Sequence, residues 1–202
     1  MKVFFHTLGC KVNHYETQEI LEDLESRGYI AVKDANDADI IVINSCTVTS
    51  ESDRKSRQAV RHYKKMNPDA VIVLTGCMTQ AYADNDYSSL CADIVLGNNT
   101  NNLLDNAVRQ YISSKTPIVK INEHKNGEKL SSSGIHCFEE RTRAYLKIED
   151  GCNRFCSYCA IPYARGRVRS KSLEDIVKEA SALAENGFVE IVLSLLPLSV
   201  GG

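Results

Sequence analysis

Three cysteines, Cys152, Cys156 and Cys159, fall within eight residues of one another in the run Gly151-Cys152-Asn153-Arg154-Phe155-Cys156-Ser157-Tyr158-Cys159. Thiolates are soft ligands that suit iron–sulfur clusters and zinc. A closed tetrahedral zinc site takes four ligands, and a ferredoxin-type run carries a nearby fourth cysteine. This run supplies three, and no cysteine follows Cys159. On a four-iron cluster, three thiolates leave one iron open to a substrate or cofactor. The alternative is a zinc site closed by Cys137 or by a histidine such as His136.

A second set is dispersed. Cys10, Cys46 and Cys77 stand in the settings Leu8-Gly9-Cys10, Asn44-Ser45-Cys46 and Thr75-Gly76-Cys77. Each follows the carboxyl end of an expected strand, and a small residue precedes each, which lets backbone approach backbone. Open α/β sheets bind ligands at that edge, so three strand-end thiols there could converge. The plainer reading is that each is a small buried hydrophobe, as free cysteine commonly is. Cys91 and Cys137 have no comparable setting. His6, His14, His62, His124 and His136 are scattered, without a ligand or triad pattern. Paired catalytic carboxylates and a glycine-rich phosphate loop are equally lacking.

The elements that must position these residues alternate between strand and helix. Strands are expected at 2–5, 39–43, 70–74, 93–96 and 118–121, several of them continuously apolar, as buried parallel strands are. Asn13, with Glu16 three residues on, reads as a capping box opening a helix that presents Ile20, Leu21 and Leu24 and ends at Gly28. Ser50 with Asp53 opens a second helix, stopped after Met66 by Pro68. Further helices are expected around 80–86 and over 101–113. This βα alternation implies a parallel sheet with helices on both faces. Residues 122–143, polar and turn-prone, read as a linker. A new unit follows: a strand at 144–149, a long loop over 151–170, a helix capped by Ser172 and ended by Gly187, and a strand at 189–193. The expected fold class is therefore α/β, with an N-terminal unit over 1–121 and a second unit over 144–202.

Basic residues gather in two places. The helix from Ser50 carries Arg54, Lys55, Arg57, Arg61, Lys64 and Lys65, which reads mainly as a solvated face. The stretch from Arg165 through Arg167 and Arg169 to Lys171 directly follows the cysteine loop. It is expected to hold an anionic substrate near the metal or to pair with carboxylates of an absent neighbour. At 43% hydrophobic, 25% charged and net charge −2, the chain can bury a core and shows no global basic excess for nucleic acid. The N-terminus lacks a signal-peptide apolar core, and no stretch is long enough to span a membrane. The expected location is the cytoplasm, where clustered cysteines more often bind metal than form disulfides.

The motifs together resemble the radical S-adenosylmethionine (SAM) methylthiotransferase family. Cys152-x-x-x-Cys156-x-Tyr158-Cys159 is similar to the radical-SAM signature. The segments from Thr7 to Asn13, from Asn44 to Val48 and from Thr75 to Cys77 are similar to the family's three N-terminal cysteine segments, and Ile161-Pro162-Tyr163-Ala164-Arg165-Gly166 fits too. The resemblance implies two 4Fe-4S clusters, an auxiliary one on Cys10, Cys46 and Cys77 and a radical-SAM one on Cys152, Cys156 and Cys159. Tyr158 would lie near the SAM adenine. The cluster would cleave SAM by one electron, and the resulting 5′-deoxyadenosyl radical would take the hydrogen from C2 of an adenine. The auxiliary cluster would deliver the methylated sulfur. The Gly-Cys-Lys-Val-Asn and Ile-Pro-Tyr-Ala-Arg-Gly-Arg-Val-Arg-Ser segments most resemble the branch acting on N6-threonylcarbamoyladenosine at tRNA position 37. Other branches act on isopentenyladenosine in tRNA or on a ribosomal-protein aspartate. The implied partners are tRNA and an electron donor, with no membrane.

The sequence departs from the family at its end. A full (β/α) barrel needs roughly 200 residues, and far fewer follow the linker. A third, RNA-binding part is missing, and Ser194-Leu195-Leu196-Pro197 stands where the family runs into a Thr-Gly-x-Asn-type turn. The fold expected after the linker is thus the first βα unit of an incomplete barrel. The chain is expected to be inactive alone. The alternative function is an iron–sulfur or zinc-binding module without SAM chemistry.

Overall fold

The computed structural model describes residues 1–47, 49–82, 87, 90–125, 127, 130, 134–136 and 143–194. The first unit is a six-stranded sheet in which every pairing is parallel. Its strands are β1 (Lys2–Thr7), β2 (Ile30–Ala31), β3 (Ile40–Ser45), β4 (Val71–Gly76), β5 (Ile94–Leu96) and β6 (Ile118–Lys120), in the order β2-β1-β3-β4-β5-β6. The centre is β3 and β4, all of whose residues are buried. Successive side chains leave a strand on opposite faces, so a continuous apolar run supplies two cores. Ile40, Val42 and Val73 enter one with Leu24 of α1 (Lys11–Ser26) and Val108 of α4 (Leu104–Ser114). Ile41, Ile43, Ile72 and Leu74 enter the other with Val60 of α2 (Ser50–Met66) and Met78 of α3 (Cys77–Ala81). Each such side chain contributes about 1.5–3 kcal/mol by leaving water.

Several element boundaries differ from expectation, each for a local reason. Asn13 does not cap α1: the helix starts at Lys11 with Cys10 in the cap position and no side-chain cap bond. Asn13 is fully buried, and its amide bonds the end of β3 instead. The box partner Glu16 is likewise drawn into ion pairs. In α2 the capping oxygen belongs to Thr49, which accepts from the Ser52 N–H at 3.1 Å, so Ser50 is already helical. α3 begins at Cys77 and closes at Ala81, ahead of the expected 80–86; residues 83–86 lie outside the described residues.

The second unit begins with β7 (Arg143–Lys147) and ends with β10 (Glu190–Ser194), paired in parallel. Between them the expected strand 144–149 is broken, its end becoming β8 (Glu149–Asp150), and the expected loop over 151–170 is structured: it holds α5 (Ile161–Arg165) and β9 (Arg169–Ser170), which pairs antiparallel with β8. Then α6 (Leu173–Glu185) packs on β7, capped as expected by Ser172, which accepts from the Asp175 N–H at 3.1 Å. Tyr15 of α1 completes the small core of this unit with Ile135, Ala144 and Leu183. The described linker residues before Arg143 form no helix or strand, yet two histidines tie the segment down. His124 bonds Asn98 at 3.0 Å and Arg169 at 2.9 Å, and His136 pairs with Glu22 at 2.9 Å. Cys137 and residues 195–202 lie outside the described residues.

Candidate functional site

The sheet order makes β1, β3 and β4 neighbours, all running the same way. Cys10, Cys46 and Cys77 therefore emerge at one edge of the sheet. The approach is close: a β-carbon at Gly9 would lie 2.8 Å from the Cys46 β-carbon, and one at Gly76 only 2.4 Å from the Ser45 carbonyl oxygen. Gly76 has φ +102° and ψ −156°, a conformation essentially confined to glycine.

Polar side chains fix this edge. The Asn13 amide donates to Asn44 Oδ1 and to the Ser45 carbonyl, both at 3.0 Å, while the Asn44 amide donates back to the Asn13 carbonyl at 3.0 Å. Ser45 Oγ donates to the Thr75 carbonyl and accepts from the Met78 N–H at 3.3 Å. Cys46 and Cys77 are buried and Cys10 is exposed. Burial pushes the Cys77 thiol up to about 12, against the pull of the nearby Arg165. Cys10, Lys11, His14, Tyr145 and Ser194 line a cavity of about 520 Å³, with Lys11 Nζ 5.6 Å from the centre of the Tyr145 ring.

The second cysteine loop closes on itself. The Cys152 N–H donates to the Gly166 carbonyl at 2.9 Å, and the Arg154 N–H donates to Cys152 Sγ at 3.3 Å. Cys152 is buried, while Cys156 and Cys159 are half-buried. Tyr158 projects outward at 90% exposure, so among the described residues nothing covers its ring. No three His, Cys, Asp or Glu side chains among the described residues converge closely enough to hold a single metal ion.

Between the two cysteine sets lies a buried ionic network. Arg165, 2% exposed, is bidentate to Glu16 of α1, at 2.6 and 3.1 Å, and reaches Asp150 at 3.2 Å. Lys147 bonds Glu16 at 3.2 Å, and Arg169 stands 3.6 Å from Asp150. Burial alone would push both carboxyls up. The charges of Arg165 and Lys147 outweigh it, holding Glu16 below its ordinary value and Asp150 at about 2. Nearby, Lys171 pairs with Glu179, and Tyr15 donates to Glu179 at 2.7 Å. The basic stretch after the loop thus spends Arg165, Arg169 and Lys171 on carboxylates of this chain, which corrects the expectation of an anionic-substrate site there. Arg167 lies over the Phe155 ring at 5.2 Å. Arg54 and Arg57 on α2 pair along their own helix with Glu51 and Asp53, as a solvated face does.

Sequence reasoning missed Asn13, Asn44, Lys147 and Asp150 as parts of this site and read Glu16 only as a cap. An ionisable residue flanked by helix-face apolar positions, as Glu16 is by Tyr15 and Ile20, is the signal that was available.

Comparison with known proteins fits this layout. Residues 146–195 match the radical SAM superfamily, and residues 2–97 match the uncharacterized protein family UPF0004. The fold is also that of a solved radical SAM methyltransferase, TsrM from Kitasatospora setae, with TM-score 0.59 and 12% identity over 96% of this chain and 47% of that one. The fold is shared with that enzyme, and residues 146–195 are similar to radical SAM domains. The chain is 41% identical, over 95% of its length, to the threonylcarbamoyladenosine tRNA methylthiotransferase MtaB of Bacillus subtilis. It is 31% identical to a tRNA-2-methylthio-N(6)-dimethylallyladenosine synthase of Thermodesulfovibrio yellowstonii, over 95% of this chain and 44% of that one. A similar match, 32% over 93% of this chain and 42% of the relative, is the ribosomal protein uS12 methylthiotransferase RimO of Clostridium tetani. Over nearly its whole length the chain is thus similar to methylthiotransferases of three named kinds. It spans 43% of the length of the Bacillus subtilis relative. Among the described residues no helix is long and apolar enough to cross a membrane.

Proposed function

We propose that this chain is the cluster-bearing front part of an enzyme that places a methylthio group on C2 of N6-threonylcarbamoyladenosine at tRNA position 37. The observation that carries the reading is the higher identity to a relative named for that substrate, 41% against 31% and 32% for the other branches. In this reading residues 1–121 form the auxiliary-cluster unit, 122–143 the connection, and 144–202 the start of a radical-SAM barrel. The tRNA and an electron donor are its partners.

The donor sets suit two four-iron clusters. Each offers three thiols; among the described residues neither set is gathered tightly enough for a single ion, and a cluster spreads its ligands wider than one ion does. Cys10, Cys46 and Cys77 would hold one cluster, and Cys152, Cys156 and Cys159 the other. Bound there, the clusters and SAM supply one-electron cleavage and sulfur delivery. The chain's own residues do the rest. Gly9 and Gly76 let the strand-end thiols approach. The Arg154 N–H, bonded to Cys152 Sγ, fixes the direction of that side chain. Tyr158 offers its exposed ring to the SAM adenine, and the cavity beside Cys10 admits the base. Holding both sets against one base is the proximity term of the rate enhancement.

The test is anaerobic reconstitution with iron and sulfide counting, repeated after changing Cys152, Cys156 and Cys159 to alanine. The expected result is about eight irons falling to about four. Iron unaffected by the triple change would sink the two-cluster reading, and zinc in its place would favour a metal-binding module. Fusing the chain to the remainder of a relative and weighing tRNA nucleosides from a strain lacking the activity tests the branch. Methylthiolated isopentenyladenosine there would overturn the substrate.

A further inference from the structure

The cavity beside Cys10 has walls from both units. Cys10, Lys11 and His14 come from the start of α1, Tyr145 from β7 and Ser194 from the end of β10. Its volume of about 520 Å³ falls in the range of small-molecule sites. Among the described residues no aspartate or glutamate lines it. Lys11 Nζ lies 5.6 Å from the centre of the Tyr145 ring, a cation–π contact that holds the ammonium at the cavity wall. No carboxylate among the described residues pairs with that ammonium. The first turn of α1, on the same wall, carries no acidic residue, so the positive end of the helix is not offset there. The cavity therefore favours a ligand that brings its own negative charge.

We propose that Lys11 determines specificity by binding the carboxylate of the threonylcarbamoyl group in this cavity. The proposal rests on the reading that the substrate is N6-threonylcarbamoyladenosine and that Cys10 belongs to the sulfur-delivering set. In adenine, C2 and the carbon bearing N6 both flank N1, so C2 and the N6 substituent share one edge of the base. A base whose C2 is brought to Cys10 therefore presents its N6 substituent close by, and Lys11 is the adjacent residue on the cavity wall. The threonylcarbamoyl group ends in a carboxylate, which an ammonium meets with a charge-assisted hydrogen bond. An isopentenyl group carries no charge and forgoes that bond. Discrimination between the two modified adenosines is then a difference of affinities set at one side chain.

The experiment is equilibrium dialysis of the reconstituted 202-residue chain against N6-threonylcarbamoyladenosine and its methyl ester. The unsubstituted chain is expected to bind the acid about tenfold tighter than the ester, the size of one hydrogen bond to a charged group. Added salt is expected to narrow that gap, because Lys11 is exposed. Lys11→Met is expected to bind acid and ester alike, at the ester affinity of the unsubstituted chain, and Lys11→Arg to keep the preference. The ester is the internal control, since damage to the fold would weaken it too. A preference that survives Lys11→Met, no preference in the unsubstituted chain, or no binding of either nucleoside overturns the proposal. So does loss of the ester together with the acid in both Lys11→Met and Lys11→Gln. The reading beneath it fails separately: methylthiolated isopentenyladenosine from the fused chain overturns both. Methylthiolated threonylcarbamoyladenosine there, with an unchanged preference in Lys11→Met, overturns only the role of Lys11.

Discussion

Gly76 holds the most constrained position at the strand edge, because the next residue is a thiol that must face its neighbours. Its backbone lies where only glycine is at ease, and the Ser45 carbonyl fills the space a side chain would need. Gly76→Ala is expected to destabilise the chain by about 1–3 kcal/mol from backbone strain, with a further cost for displacing β3. Urea unfolding reads the stability, and, on the proposed two-cluster reading, the iron content of Cys10, Cys46 and Cys77 reads the geometry. An alanine variant as stable as the parent, with full iron, would show that the edge is looser than it looks. Other single residues were hidden from sequence for a shared reason. Asn13 matched a helix cap as a residue type, but its value to the fold is a pair of amide bonds to a strand 31 residues away. No local pattern encodes such a partner. The cysteines were legible because their spacing, or their place after each apolar run, is itself local.

At the scale of elements, strands β1, β3, β4, β5 and β6 and helices α1, α2, α4 and α6 were readable from apolar runs, caps and terminal glycines. What was lost was the interior of the second cysteine loop. α5 and the β8–β9 pair are too short for periodicity to register, and they stand because Arg165 and Asp150 anchor them. That anchoring carries a pH signature. Asp150 has a folded value of about 2, below the ordinary carboxylate value of about 3.9. Its contribution is therefore complete above about pH 4 and lost as pH falls toward about 2, to the extent of about 2 kcal/mol. Asp150→Asn is expected to be less stable than the parent at pH 6, with the gap narrowing between about pH 4 and pH 2. A gap that stays constant across that range, in denaturant titrations, would assign the pairing elsewhere.

Across the whole molecule, cohesion is uneven. The first unit rests on two cores covering both faces of its sheet. The second has two two-stranded pairings, β7 with β10 and β8 with β9, and borrows Tyr15 from α1. Leu173, Val177, Val189 and Leu193 of that half remain exposed. Amide exchange is expected to be slowest in β3 and β4 and markedly faster in β7 and β10, since local opening follows buried contacts. Equal protection in the two sheets would show that the chain opens as one unit. The placement of the thiols adds a further asymmetry. Cys10, Cys46 and Cys77 are separated by 36 and 31 residues and reach one sheet edge only when three strands pair. Cys152, Cys156 and Cys159 remain neighbours even in a disordered peptide. On the proposed reading, one iron site vanishes the moment the chain unfolds, whereas the other survives as a short chelating sequence. Heating the loaded chain would then release iron from the first site in step with unfolding and from the second more gradually.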